Sequence, residues 1–268
     1  MSSSNEVLLL ERHDRVALLT LNRPQKLNAF SLELHQAFMT AIEQVRQDDS
    51  IWTLVITGAG RGFCSGADLS RSPGSQREAE LGQNVLLDEL KWFGRQTLAV
   101  ASLDKPVIAA VNGVAAGMGM SLSLACDLRV GGDRTRFRTA MVERSRCPDS
   151  GMSWFLTRIL GYARAADLVL TSRDVSSEEA YRLGLLDRFV GAEDVVAAAL
   201  QLAQDISELP PVAVRTSKRV LQHALKSDLP SALAYEATGL TRARSATNDA
   251  REAVNAFLEK RAPRYTGT

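Results

Sequence analysis

The sequence has few of the residues on which metal and redox sites depend. Among 268 residues there are only three histidines and three cysteines, Cys64, Cys126 and Cys147. The cysteines have no C-x-x-C spacing, so a zinc site would have few ligands to draw on. We therefore expect reduced, structural cysteines, and we predict no metal and no redox cofactor.

An excess of charge and long apolar runs are also missing. The 32 Lys and Arg residues almost balance the 31 Asp and Glu residues, so nothing favours nucleic acid as a partner. No apolar run approaches the roughly 20 residues of a membrane span, and MSSSNEV does not resemble a signal peptide. We expect a cytoplasmic protein that binds neither nucleic acid nor membranes.

The spacing of apolar residues predicts an α/β body followed by a helical C-terminal part. In the first half it indicates strands at 7–10, 16–21, 51–57, 107–111 and 127–130, and helices over 31–47 and 78–101. A polar stretch rich in glycine and serine predicts a mobile loop over 71–83. The second half predicts a helix from about residue 163, a helix opened by the capping box of Ser176 and Glu179, and helical segments near 193–208, 211–226 and 230–260.

Two buried strands each end in a glycine-rich turn, GAGRGFCSGADL after the first and NGVAAGMGM after the second. Glycine allows sharp turns whose backbone amides are not shielded by side chains. A thioester carbonyl that becomes an enolate gains negative charge on its oxygen, and each amide directed at that oxygen contributes roughly 10²–10³ in rate. Two such turns can together form an oxyanion hole.

Four segments resemble those of the enoyl-CoA hydratase/isomerase (crotonase) superfamily, in the same order and at compatible spacings. They are RPQKLNAF, GRGFCSGADL, KPVIAAVNGVAAGMGMSLSLACDLRV and CPDSGMSWFLTRILG. The resemblance implies an α/β fold with a spiral of repeated ββα units over 1–200 and a helical trimerisation region over 201–268. It also implies an acyl-CoA thioester substrate, no cofactor beyond its coenzyme A, and assembly as a homotrimer or a dimer of trimers.

The same resemblance assigns binding residues. It places the first oxyanion amide on Ser65 and the second on Met118, which follows Gly117. Gly66, Ala67 and Asp68 complete the loop beside the thioester and adenine. The positions expected near the nucleotide end of coenzyme A are Lys26, Leu27 and Lys260.

The departures from the family pattern bear on the reaction. Relatives that hydrate a double bond use two glutamates, and the corresponding positions here are Ser121 and Met141. Each acid–base group typically supplies ~10²–10⁴ in rate, so hydration should be severely depressed. Asp149 lies where isomerase and dehalogenase branches of the superfamily carry an acidic residue. We therefore predict isomerisation of an enoyl-CoA with Asp149 as the base.

Each of these residues also has a structural interpretation. Asp149 precedes a helix and is of a type that caps helices, while Ser121 lies among small residues that favour packing. A shift of two residues in the alignment would replace Met141 by Glu143, although a Glu followed by Arg is more often solvated. Asp68 favours a structural hydrogen bond over proton transfer.

Other functions remain as alternatives. They are an enoyl-CoA hydratase of the fatty-acid β-oxidation type, an aryl-CoA reaction with Asp149 as nucleophile, and a non-catalytic acyl-CoA-binding protein. A dinucleotide site lacks the G-x-G-x-x-G spacing, and a serine hydrolase lacks G-x-S-x-G. The histidines lie in segments typical of turns or surface helices and are expected to face solvent. Trp92, Phe93 and Trp154 fit either pocket walls or the core.

Overall fold

The computed structural model describes residues 6–68 and 82–268. The strands are β1 Leu8–His13, β2 Val16–Leu21, β3 Thr53–Gly58, β4 Gly62–Cys64, β5 Val107–Val111, β6 Val114–Ala116, β7 Leu128–Gly132, β8 Arg136–Arg138, β9 Asp174–Ser176 and β10 Arg188–Val190. The helices are α1 Leu32–Gln47, α2 Gln83–Leu86, α3 Lys91–Ala101, α4 Met118–Ala125, α5 Met152–Leu160, α6 Tyr162–Thr171, α7 Ser177–Leu183, α8 Val195–Ser207, α9 Pro211–Ala224, α10 Leu229–Arg244 and α11 Thr247–Glu259. Most of the predicted loop over 71–83 lies outside the described residues.

A six-stranded sheet with the order β1-β2-β3-β5-β7-β10 forms the centre of the molecule. β1 and β2 are antiparallel, which confirms the predicted strand pair, and the remaining neighbours are parallel. Every strand predicted in the first half of the sequence is present, with bounds shifted by a few residues.

A second sheet contains four strands in the order β4-β6-β8-β9. Each central strand β3, β5 and β7 is followed directly by a short strand of this second sheet, and helices then return the chain. β4, β6 and β8 run parallel to one another. The chain thus repeats a ββα unit, and each repeat places one turn between the two sheets.

Alternation along the central strands separates the core into two clusters, because successive side chains of a strand point to opposite faces. On β3, Leu54 and Ile56 point to the cluster shared with the second sheet and α1, which also includes Cys64 and Met118. Val55 points to the opposite face, against α8. Both faces of the central sheet are therefore buried.

Helix α1 forms as the sequence predicts. The Ser31 hydroxyl accepts the Leu34 amide at 3.2 Å, and the apolar positions 34, 38, 41, 42 and 45 are buried. Ser176 likewise caps α7 by accepting the Glu179 amide. The prediction of one helix over 78–101 is wrong within the described part, because residues 87–90 separate α2 from α3. A single segment over 230–260 is also wrong, since α10 and α11 are distinct helices.

Ion pairs hold helix α9 to the body. The Lys218 ammonium on α9 lies 2.6 Å from the Asp127 carboxylate. Burial alone would raise the pKa of Asp104, but hydrogen bonds and charge from Arg215 and Arg219 outweigh it and hold that pKa below its ordinary value.

The predicted boundary at residue 200 falls within α8, which packs on the central sheet. Among helices in residues 6–68 and 82–268, none is long and apolar enough to cross a membrane.

The thiols differ sharply in accessibility, which leads to a simple test. Cys64 and Cys126 are buried, and burial raises the pKa of each to about 12, whereas Cys147 is exposed. Because the thiolate is the reactive form, the folded protein should lose one thiol per chain to iodoacetamide at pH 8 and all three after denaturation. Mass spectrometry of the labelled protein measures this; rapid labelling of Cys64 in the folded state would contradict it.

Candidate active site

The two glycine-rich turns predicted to converge are in contact. A methyl group on Gly66 would lie 3.0 Å from the Ala116 carbonyl oxygen and 3.5 Å from the Met118 nitrogen. A methyl group on Gly119 would lie 2.1 Å from the carbonyl oxygen of Cys64, closer than atoms approach. The turn after β4 is therefore pressed against the first turn of α4, and only glycine permits this approach.

The backbone amides of the first turn differ in what they bind. The Ser65 amide donates to the Leu27 carbonyl at 2.9 Å, so the expectation that it lines an oxyanion hole conflicts with the hydrogen bonding. Phe30 bridges this turn by donating to the Gly66 carbonyl and accepting the Asp68 amide. The Ala67 amide points the other way and has no acceptor among the described residues. Ala67 is therefore the better candidate for the first donor.

The second turn presents the Met118 amide at the start of α4. First-turn amides have no acceptor within their own helix, and the helix dipole makes this end electropositive. Gly117 adopts φ +52°, and its amide donates to the Arg138 carbonyl at 3.0 Å, which ties the turn to β8. The Met118 side chain is buried in the core. The amide expected from the sequence is thus available for an oxygen.

A buried asparagine supports the segment of Lys26 and Leu27. The Asn28 amide nitrogen donates to the carbonyls of Ala59 and Gly62 at 3.0 and 2.7 Å, and its oxygen accepts the Arg23 amide. Leu27 and Asn28 both have positive φ. The Ser65 hydroxyl donates to the Lys26 carbonyl at 3.2 Å, so this segment lies beside the first turn. Lys26 is exposed.

Asp68 forms an ion pair with Arg23 at 2.8 Å. This agrees with the structural interpretation of Asp68, since its carboxylate joins the Lys26 segment to the first turn. Lys260 lies just beyond α11 and is exposed. No contact among the described residues brings Lys260 to the turns of Ala67 and Met118.

Asp149 lies next to α4 and is half-buried. The Ser121 hydroxyl, one turn after Met118, donates to the Asp149 carbonyl at 3.4 Å. The Asp149 carboxylate accepts the Ser150 hydroxyl at 2.9 Å and takes part in no ion pair with a described residue. A single carboxylate free of cations thus stands beside the helix that carries the second amide.

The helix-capping interpretation of Asp149 is wrong. Helix α5 begins after Gly151, and no side chain bonds to its first-turn amides. The Asp149 contact with the helix is made by its backbone carbonyl, which accepts the Met152 amide at 2.9 Å. Its side chain is therefore available for another role.

The remaining candidate positions occupy different surroundings. Met141 is buried, and its terminal methyl would lie 3.8 Å from a methyl group on Gly117. Glu143 is exposed, as expected for a Glu followed by Arg, and it pairs with Arg138. That contact raises the pKa of Arg138, chiefly through the hydrogen bond. Glu143 is thereby committed to a cation.

Aromatic residues and one histidine cluster on α1 and α3. Trp92 lies edge-on to His35 with ring centroids 5.0 Å apart, and the His35 Nδ1 is 2.9 Å from the buried Gln96. His223 stacks on Tyr235 at 4.0 Å. The expectation that the histidines face solvent holds for the exposed His13, whereas His35 and His223 are partly buried. Phe93 packs on the core, while Trp92 and Trp154 remain partly exposed.

Comparisons with known proteins agree with this architecture. The family model described as enoyl-CoA hydratase/isomerase matches residues 11–268. The 1,2-epoxyphenylacetyl-CoA isomerase of Escherichia coli (strain K12) is 37% identical, over 98% of this chain and 99% of the relative. A probable enoyl-CoA hydratase of Mycobacterium tuberculosis is 35% identical, over 97% of this chain and 98% of the relative. The crystal structure of a putative enoyl-CoA hydratase from Streptomyces coelicolor A3(2) superposes with a TM-score of 0.90 at 32% identity, over 100% of this chain and 98% of that one.

The fold defines a crotonase-type α/β protein. The chain belongs to the enoyl-CoA hydratase/isomerase family, and the predicted fold class is confirmed. An acyl-CoA-processing enzyme of this family is the function that these matches establish.

The hydrogen bonds of the site include contacts that no motif indicates. Thr97 on α3 donates to the Ser150 carbonyl at 2.9 Å, and Asn28 fastens the Lys26 segment. The available amide at Ala67 follows from the bridge with Phe30 and has no signature of its own. Asn28 lies in the RPQKLNAF segment, and its positive φ is one that asparagine adopts more readily than most residues, but its bonds to Ala59 and Gly62 are not readable from that segment.

Proposed function

We propose that this protein is an enoyl-CoA isomerase in which Asp149 is the acid–base group. The observation that carries the proposal is the difference between two nearby carboxylates. Glu143 is paired with Arg138, whereas Asp149 has no ion pair among the described residues and is tethered by Ser121 to the helix that begins at Met118. Ser121 and Met141 supply no second carboxylate for positioning water.

The reaction requires one base and one oxyanion hole. Asp149 takes a proton from C2 of a 3-enoyl-CoA, and the electron pair delocalises into a dienolate whose oxygen accepts the Ala67 and Met118 amides. Protonated Asp149 then returns the proton to C4, which yields the 2-enoyl-CoA. No water is added and no electrons leave the substrate, so only its own coenzyme A is needed. Each amide would contribute roughly 10²–10³ in rate.

The names of relatives favour two reactions. The E. coli relative is an isomerase of 1,2-epoxyphenylacetyl-CoA, which supports isomerisation of a thioester. The M. tuberculosis and S. coelicolor relatives are named as a probable and a putative hydratase, so hydration is the second candidate function. The two reactions differ in their need for a positioned water molecule.

A substrate panel separates these functions. The purified protein is incubated with 3-enoyl- and 2-enoyl-CoA thioesters, and double-bond migration and water addition are followed separately by chromatography. We expect migration to be at least ~10²-fold faster than hydration, given the absence of the second acid–base group. Faster water addition would establish the hydratase, and thioester binding without either reaction would indicate an acyl-CoA-binding protein.

We also propose that the nucleotide end of coenzyme A contacts Lys26, Leu27 and Lys260, and that the chain forms a homotrimer or a dimer of trimers. The C-terminal helices support the assembly, since large apolar side chains remain exposed there, namely Leu221, Leu225, Leu229, Leu233, Leu240, Val254, Phe257 and Leu258. Exposed apolar patches of this kind mark interfaces between proteins. Size-exclusion chromatography with light scattering should give three or six times the 29.1 kDa chain mass.

A further inference from the structure

We propose that Thr97 and Ser150 are positioning residues that aim the Asp149 carboxylate at the substrate. The inference rests on the proposed function, because it assumes that Asp149 exchanges a proton. It assigns to α3 a role in fixing the base, in addition to any contact with the acyl group. Four contacts around the segment 149–151 carry it.

The backbone of this segment is held in an uncommon conformation. Ser150 has φ +52° and Gly151 has φ +79°, so two consecutive residues lie in the left-handed region. Ser150 is also buried, with only 3% of its surface exposed. A non-glycine residue with positive φ is uncommon and persists where its surroundings determine it. Ser150 is thus held in place by its neighbours.

Helix α3 supplies that constraint. The Thr97 hydroxyl donates to the Ser150 carbonyl at 2.9 Å. A methyl group on Gly151 would lie 3.1 Å from the Thr97 methyl and 2.9 Å from the Phe155 ring, so the segment is in close contact on both sides. Hydrogen bonding and packing by Thr97 therefore fix the same peptide.

Ser150 transmits this constraint to the carboxylate. Its hydroxyl donates to Asp149 Oδ1 at 2.9 Å, while Oδ2 has no partner among the described residues. The two carboxylate oxygens are therefore inequivalent: one orients the group and the other is available for a substrate proton. The Ser121 hydroxyl holds the Asp149 carbonyl from α4, which connects the base to the helix of Met118.

Thr97 offers a precise substitution with a matched control. Its hydroxyl also bonds to the Phe93 carbonyl one turn earlier, as the exposed Thr40 of α1 does to the Gln36 carbonyl. Thr97→Val keeps the shape of the side chain and removes both hydrogen bonds, and Thr40→Val removes only the bond within the helix. Thr97→Ser retains the hydroxyl and should rescue the function.

The experiment measures two fates of the dienolate in D₂O. Asp149 can return the abstracted proton to C4, which gives the isomer, or it can exchange that proton with solvent and deliver a deuteron to C2, which labels the recovered substrate. We expect Thr97→Val to lower kcat for migration about 10- to 100-fold, the effect of a catalytic group displaced by up to ~1 Å, with little change in KM. Deuterium at C2 per molecule of isomer should rise, and Thr97→Ser and Thr40→Val should resemble the wild type.

Distinct outcomes separate the two proposals. Migration and C2 exchange that are the same in Thr97→Val and wild type would overturn the positioning role and leave the isomerase intact. Wild-type exchange without migration would reject the isomerase, and the effect of Thr97→Val on exchange would still decide the positioning role. A wild type that performs neither would reject both. If Thr97→Val does not fold, Ser150→Ala, which removes only the bond to Oδ1, must show the raised deuterium ratio.

Discussion

Asp149→Asn should reduce double-bond migration by about 10²–10⁴-fold while leaving thioester binding nearly unchanged. Asparagine has the same shape and can still accept the Ser150 hydroxyl, so the segment that carries it should stay in place. It cannot accept a proton from C2, and the reaction has no other carboxylate at this position. Turnover of a 3-enoyl-CoA and calorimetric titration with a saturated acyl-CoA measure the two quantities.

Glu143→Gln is the matched control for that substitution. It removes one carboxylate six residues earlier in the chain, and the interaction lost is the ion pair with the partly exposed Arg138. A surface ion pair contributes about 0–1 kcal/mol, so activity should be largely retained. If Glu143→Gln loses activity and Asp149→Asn retains it, the base is Glu143 and the assignment to Asp149 is wrong.

Gly119→Ala should have the largest effect of any small substitution in the site. The added methyl would lie 2.1 Å from the Cys64 carbonyl oxygen, and both partners are backbone, so neither can rotate away. The turn after β4 and the start of α4 must separate. Overpacking costs about 1–3 kcal/mol and occasionally more, and an amide moved from the oxygen costs roughly 10²–10³ in rate. Urea unfolding and kcat measure these effects.

Gly94→Ala controls for the change of glycine to alanine. Gly94 lies within α3, where an added methyl would make an ordinary contact of 3.4 Å with Leu90. Alanine is favoured over glycine inside helices by roughly 0.5–1 kcal/mol, so the free energy of unfolding should rise slightly. If Gly119→Ala has the same free energy of unfolding and the same kcat as the wild type, the two turns are not in the close contact described.

The parts of the fold that were predicted from sequence depend on local patterns. The apolar spacing and Ser31 cap of α1 act within a few residues, as does the pairing of adjacent strands β1 and β2. The three-residue strands of the second sheet carry too little periodicity to be identified. The break between α10 and α11 has no glycine or proline to indicate it, since Ser245 and Ala246 separate the two helices.

The sequence predicted the candidate site only where a residue's surroundings are set by its immediate neighbours in the chain. The Met118 amide follows from a glycine turn opening a helix, which sequence can indicate. The Ser65 assignment conflicts with the structure because a carbonyl 38 residues earlier, at Leu27, accepts its amide. Thr97 reaches Ser150 from a helix 53 residues away. Such contacts exist only after the chain has folded.

Because both faces of the central sheet are buried, the core cluster beside the candidate site is separate from the core cluster beneath α8. Cys64 and Met118 belong to the cluster on one face, whereas Val55, Ile108 and Ala199 belong to the cluster beneath α8 on the other. Five parallel-connected strands stand between these clusters as a stiff partition. Substitutions in the cluster beneath α8 should therefore change the melting temperature while the candidate donor amides of Ala67 and Met118 keep their positions. Substitutions intended to raise thermal stability can therefore be placed in the cluster beneath α8, because the central sheet separates that cluster from the candidate site.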